Sequence, residues 1–497
     1  MQLSSSRFST PGWWGFSLLG LLLLWGGMLW VGTRLPVLLS LPVWWPQGSL
    51  SLLVDVFSWP YAFGLVTLVL GVLLTAPVRA PHLPALWGTN LPLLFGGMLA
   101  VFAGDPLTLA LAWALLDAIE LTLLLTSLRS SKGRERVVAV FTARLGGILL
   151  LLWGAVQGGE HTFVALPRDA NVVLLMAVAM RLGVFPLHVP FLRDEPALWR
   201  GLGTTLRLVT PLASLGVLAH VARAGVPPQW ALPLSTLAWL AGLLGVLGVW
   251  TAKSELAARP FWVLACSALA VGAALRAAPS AILAWGSLML LDGGMLFLAD
   301  LRERRFLWLP LIAVALLLGL PFTPGWVGAQ GYLRPLSAGS LLWMLVHIGL
   351  TAGFIRHLWP GRKHRAVTVL ERLAYVVGLC LLMAGAWLVG LPWKWWHPLG
   401  SGLHLSGFAL AGVALWAGKR LDLTRLPEWN APLASVVRFL SLDWLYGAGW
   451  RAYRLLAQSV SFLVLILEDE GGLLWMFFLL LVVVAALSAR FPGGLLP

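Results

Sequence analysis

The chain has 497 residues, 59% of them hydrophobic and only 11% charged, with a formal net charge of +14. A soluble domain carries about 25% charged and 45–50% apolar residues, so a water-soluble fold is excluded, and with it a soluble enzyme on a membrane anchor. At roughly 20 apolar residues per crossing, the composition predicts an all-α polytopic membrane protein of about 14–15 transmembrane helices.

In chain order the apolar stretches place spans at 13–33, 57–78, 84–104, 106–127, 137–157, 170–189, 204–224, 229–251, 260–278, 279–299, 306–328, 337–358, 370–391, 402–418 and 472–489. The first resembles a signal peptide, but its run of about 20 apolar residues exceeds the usual 7–15 and no A-x-A site follows it, so it is expected to remain as a helix. Gly183, Pro186 and Pro190 interrupt the sixth span, and Gly319, Pro321, Pro324, Gly325 and Gly328 interrupt the eleventh. Broken helices at membrane depth are tolerated where they line a hydrated cavity or are buried in protein, and their five-span separation hints at two halves built alike.

Lys and Arg gather on the cytoplasmic side of polytopic proteins. With the N-terminus and the loops after even-numbered spans on one side, that side holds 24 of the 34 basic residues, the opposite side holds seven, and Arg144, Arg181 and Arg207 fall inside spans. This predicts a multi-pass protein of the cell inner (plasma) membrane, with its N-terminus cytoplasmic and its C-terminus external. The positive charge thus reports topology, and no nucleic-acid partner is expected. Between the last two spans, 422–458 reads as an amphipathic helix: Val436, Val437, Leu440, Trp444, Leu445, Ala448 and Leu455 recur at helical spacing while Arg438, Asp443, Arg451 and Arg454 take other positions. Such a helix either rests on lipid headgroups or docks on a neighbouring subunit. Most of the 29 tryptophans, Trp13, Trp14, Trp45, Trp359, Trp393, Trp395 and Trp396 among them, lie near span ends as an interfacial belt. Cys266 and Cys380 sit in apolar runs without metal-ligand spacing, so no metal or cofactor is expected.

A charge at membrane depth is costly unless it is paired or hydrated, so each one is a functional candidate. Asp117 and Glu120 share a helical face at i and i+3 in the fourth span. Arg144 interrupts the fifth span, Arg207 the seventh, Asp292 the tenth and His347 the twelfth. Arg181 and His188, seven residues apart in the sixth, are expected on one face. Two readings follow: the acids neutralise Arg144 or Arg181 as buried ion pairs, or Asp117, Glu120, Arg144, Arg181, His188, Asp292 and His347 form a proton or cation path.

Residues 90–126 (NLPLLFGGMLAVFAGDPLTLALAWALLDAIELTLLLT), 180–192 (MRLGVFPLHVPFL) and 319–330 (GLPFTPGWVGAQ) resemble, in order, three signature regions of the antiporter-like, proton-conducting subunits of respiratory complex I, membrane-bound hydrogenases and Mrp-type cation antiporters. SLDWLYG at 441–447 and EDEGGLLW at 468–475 resemble the C-terminal ends of hydrogenase-type and Mrp-type members. The resemblance implies two inverted five-helix repeats, each with a broken helix, and in some members a lateral helix before a last span. On that basis the chain divides into N-terminal helices (1–80), a first repeat region (84–224), a second (229–391) and a C-terminal region (402–497). The chain also departs from the pattern. The glutamate expected after Trp113 is Ala114, with Asp117 one turn on; Arg181 stands at the lysine before the FPLH element; Asp292 lies near the second-half lysine; and Ala329 and Gln330 replace the lysine after the GLP element. Arginine holds a charge but does not release a proton.

The resemblance implies a divergent membrane subunit of a redox-driven or antiporter complex, such as an NADH:quinone oxidoreductase-like or hydrogenase complex. It would carry no redox centre of its own and contribute to proton or sodium movement beside other membrane subunits in the lipid bilayer. One alternative is a non-conducting structural paralogue. Another is a polytopic glycosyl or acyl transferase, for which the outer loops offer only Glu160, His161 and Asp169.

Overall fold

A computed structural model describes residues 12–42, 49–79, 89–128, 131–158, 163, 168–187, 200–301, 306, 308–333, 337–358, 368–390, 412–413, 435–436, 439, 443–468 and 472–490. Within them the protein is an all-α, multi-pass membrane fold, with ten helices long and apolar enough to cross a bilayer. The expected span at 402–418 lies almost wholly outside the described residues, as do His188, Glu160 and His161.

The chain opens with α1 (Gly12–Gly32) and then an antiparallel hairpin, β1 (Val37–Pro42) and β2 (Ser49–Val54), which the helical reading did not anticipate. The hairpin is anchored to the start of the helix Pro106–Ser127, α4. Asp105 caps that helix through the Thr108 amide at 2.7 Å, while its other oxygen accepts from the amide and hydroxyl of Ser51 on β2 at 3.1 and 2.6 Å. With Pro106 in the first turn, an aspartate cap sets the helix start. After α2 (Ser58–Arg79) come α3 (Asn90–Phe102), α4 (Pro106–Ser127), α5 (Ser131–Gly158) and α6 (Arg168–Leu182).

The sixth span is broken as expected: α6 stops at Leu182 and Gly183 adopts φ +76°, a left-handed conformation that costs glycine little. The helix ends there, and His188, expected on the same face as Arg181, lies outside the described residues. The seventh span is itself divided into α7 (Arg200–Leu215) and α8 (Leu218–Ala224). Arg200 and Arg259, read from sequence as loop charges, instead lie inside helices and are buried.

The second half runs through α9 (Pro228–Thr251), α10 (Glu255–Leu275), α11 (Pro279–Ser287), a π-helical turn (Leu288–Asp292) and α12 (Gly293–Leu298). The eleventh span is split into α13 (Trp308–Leu317) and α14 (Pro324–Leu333), followed by α15 (Ala338–Leu358) and α16 (Val369–Gly390). Gly319 turns the chain at φ +72°. Gly325 then lets α14 start directly against the end of α13, since a Cβ there would lie 2.4 Å from the Leu317 carbonyl oxygen. The span from Pro279 to Leu298 is buried along its whole length, so Asp292 sits in the interior of the bundle.

Residues 442–497 form a compact unit of their own, with α17 (Asp443–Glu468) and α18 (Gly472–Arg490). The expected helix at 422–458 is present from Asp443 but runs ten residues further, to Glu468.

Candidate functional site

The intramembrane charges fall into separate groups. In the first half, α4 supplies Asp117 and Glu120 from one face, α5 supplies Arg144, and α6 supplies Arg181 from its last turn. Arg181 grips Asp117 with two parallel bonds, Nη1 to Oδ2 at 2.6 Å and Nη2 to Oδ1 at 2.9 Å. Arg144 donates to Glu120 at 2.7 Å and lies 3.6 Å from Asp117. None of these four side chains is more than 4% exposed. Two carboxylates and two guanidiniums give a formally neutral quartet.

Neighbouring helices complete it. From α7 the Thr210 hydroxyl donates to Glu120 at 2.5 Å, and the Ser214 hydroxyl accepts from Arg181 Nε at 3.3 Å. The Arg181 guanidinium lies 4.4 Å from the Trp113 ring centroid, a cation–π contact from α4. Gly147 on α5 permits the approach, because a Cβ there would fall 2.6 Å from Arg181 Cγ. Fork-to-carboxylate geometry is the strong form of the ion pair, so four helices are joined at one point. Sequence left open which arginine meets which acid. The answer is Asp117 with Arg181 and Glu120 with Arg144.

Asp292, the last residue of the π-helical turn, is fully buried, and neither of its carboxylate oxygens has a hydrogen-bond partner among the described residues. His347 on α15 sits at the break in the eleventh span. Its Nε2 lies 2.7 Å from the Leu317 carbonyl oxygen at the end of α13, and its Nδ1 lies 2.6 Å from the Tyr332 hydroxyl on α14. Trp285 of α11 meets the imidazole edge to face at 4.9 Å and donates its indole N–H to the Gly328 carbonyl at 3.2 Å. His347 and Asp292 are therefore not directly bonded.

A third cluster escaped the sequence reading. Arg200, at the start of α7, bonds Glu255 at the start of α10, lies 3.2 Å from Asp300, and donates to the Ala299 carbonyl at 3.2 Å. Arg207, the remaining charge inside a span, is buried on α7. Thr210, Ser214 and Tyr332 were also missed. Helical spacing offered a partial signal for the first two, since Thr210 and Ser214 lie three and seven residues beyond Arg207. Tyr332 carried no signal beyond being a polar residue in an apolar stretch.

No protein-family model matches the sequence, and no curated protein matches it. The fold, however, is shared with solved structures. A chain of the Mrp complex from Dietzia sp. DQ12-45-1b superposes with a TM-score of 0.68 at 17% identity over 95% of this chain. This chain spans 60% of that one. A chain of the archaeal membrane-bound sulfane sulfur reductase, a respiratory membrane complex, gives 0.66 at 16% identity, covering 94% of both. A chain of respiratory complex I from Thermus thermophilus gives 0.59 at 18% identity, covering 76% of this chain and 92% of that one.

Proposed function

We propose that the chain is a membrane subunit of a multi-subunit complex that moves protons or sodium ions. Partner subunits would supply the energy, and the ion path within this chain would run through its second half, with Asp292 on the path and His347 as a station that serves it. The shared fold supports the assembly; within it we read 84–224 and 229–391 as two repeats and, from the charge count alone, place the N-terminus on the cytoplasmic side. One observation carries the choice of path. Both acids of the first half are bonded to arginines, whereas the Asp292 carboxylate has no hydrogen-bond partner among the described residues.

Each acid of the quartet is bonded to an arginine, and an arginine does not give up its proton. The quartet therefore holds a fixed, balanced charge and fastens α4, α5, α6 and α7 together. An unpartnered carboxylate in a protein interior is costly in its charged form unless a cation or proton accompanies it, which is the property an ion station needs. The replacement of lysine by arginine at position 181 favours a second reading, in which the whole chain is a non-conducting structural paralogue.

The test is ion flux through the assembled complex in vesicles. Asp292→Asn should abolish the flux assigned to this chain. The neutralised quartet Asp117→Asn, Glu120→Gln, Arg144→Gln and Arg181→Gln, recovered as assembled complex, should retain it. Undiminished flux in both variants supports the structural paralogue. Loss of flux only in the neutralised quartet returns the path to the first half.

A further inference from the structure

We infer that Tyr332 is the single door through which His347 takes up and gives back a proton, so that His347 is a proton store at the helix break and not a through relay. The inference rests on the second-half ion path of the preceding subsection. The starting point is hydrogen-bond direction. A carbonyl oxygen only accepts, so the 2.7 Å contact between Nε2 and Leu317 requires the proton on Nε2. Nδ1 then carries the lone pair, and the Tyr332 hydroxyl at 2.6 Å must donate to it.

A relay needs an acceptor on each side of the ring. On the Nε2 side stands a backbone carbonyl, which is not a base at any accessible pH. On the Nδ1 side stands a phenol, which can pass its own proton to nitrogen as its oxygen receives another. In that step the Tyr332 O–H bond breaks, an N–H bond forms at Nδ1, and the incoming proton restores the phenol; no electron is transferred. The imidazolium keeps its Nε2–H bond to Leu317, so the proton leaves only by reversing the route.

The surroundings suit a transient cation. Leu317 ends α13, and the free carbonyls of a helix C-terminus carry partial negative charge. Against the ring α11 presents Trp285, which is uncharged, α13 the Leu317 carbonyl, and α14 Tyr332. On α15 itself Thr351 donates to the His347 carbonyl, away from the ring. No charged side chain among the described residues hydrogen-bonds the imidazole. Loading the store makes Tyr332 an acceptor instead of a donor, at the contact that joins α14 to α15.

The test compares Tyr332→Phe, His347→Gln and the double variant in the assembled complex. Glutamine still donates to the Leu317 carbonyl, so a purely structural staple survives that change. Removal of a positioned proton-transfer group costs roughly a hundredfold or more, and each single variant should lose flux to that extent, with the double no worse than either. Wild-type flux in Tyr332→Phe alongside loss in His347→Gln reveals another door and overturns the inference. Wild-type flux in both, with Asp292→Asn inactive, makes His347 a staple and also overturns it while the second-half path stands. If Asp292→Asn itself is fully active, the path has failed. Nitrogen-15 spectroscopy of the histidine ring then decides the inference alone. An Nε2–H ring whose exchange at Nδ1 slows in Tyr332→Phe upholds it, and an Nδ1–H ring or unchanged exchange refutes it.

Discussion

The first-half quartet and the second-half acid occupy equally dry interiors yet solve the same electrostatic problem in opposite ways. Asp117 and Glu120 meet two guanidiniums and a threonine hydroxyl within 2.5–2.9 Å. Asp292 meets none. A carboxylate paired with arginine is a fixed part of the packing, and removing either member leaves its partner charged and buried. A carboxylate alone is already the exposed cost, and neutralising it removes a burden. Burial by itself therefore does not separate the two regions; the count of fixed countercharges does.

The sharpest way to break this comparison is to remove one member of the tightest pair. Arg181→Gln should destabilise the subunit by about 3–5 kcal/mol, the range seen when one partner of a buried pair is deleted, and it should reduce the yield and melting temperature of the complex. Adding Asp117→Asn should recover most of the loss. A single variant as stable as the wild type would show that the quartet does not fasten the helices.

A gentler change sharpens the same point. Arg181→Lys preserves the charge but not the two-pronged grip on Asp117 or the bond to Ser214, and a lost hydrogen bond to a charged group is worth about 1.5–3 kcal/mol. A melting temperature between those of the wild type and Arg181→Gln is expected. Equal stability of Lys and Arg at this position would mean that charge alone matters and fork geometry does not. Thr210→Val removes only the hydroxyl that donates to Glu120, which still holds Arg144, and should cost about 1 kcal/mol in thermal or denaturant unfolding.

The smallest stability effect is expected at Asp292. Asp292→Asn should alter the stability of the complex by less than about 1 kcal/mol, or raise it, because no bonded partner is abandoned. A loss as large as that of Arg181→Gln would reveal a countercharge for Asp292 and erase the distinction between the two regions.

Much of the architecture was legible in sequence because a bilayer imposes simple rules. Apolar runs of spanning length located α1, α2, α4, α5, α9, α15, α16 and α18 to within a few residues. Glycine and proline marked the two broken spans, since only glycine turns cheaply at Gly183 and Gly319. The i, i+3 spacing of Asp117 and Glu120 put both on one face. The hairpin went unread because its leucines do not alternate cleanly with polar residues, and Arg200 and Arg259 were misplaced because a charge at a span end looks like a loop charge until its burial is known.

The sequence by itself determined that this protein lives in a membrane, where two of its spans break, and that Asp117, Glu120, Arg144, Arg181, Asp292 and His347 lie inside spans, because these follow from local hydropathy and backbone preference. Tertiary structure alone decided that Arg181 holds Asp117, that Arg144 holds Glu120, that Tyr332 faces His347, and that Asp292 has no hydrogen-bond partner among the described residues. The reason is geometric. An ion pair or hydrogen bond is made or lost within about an ångström, and that distance depends on how far each helix is rotated and how deep it sits against its neighbours, which no single helix encodes.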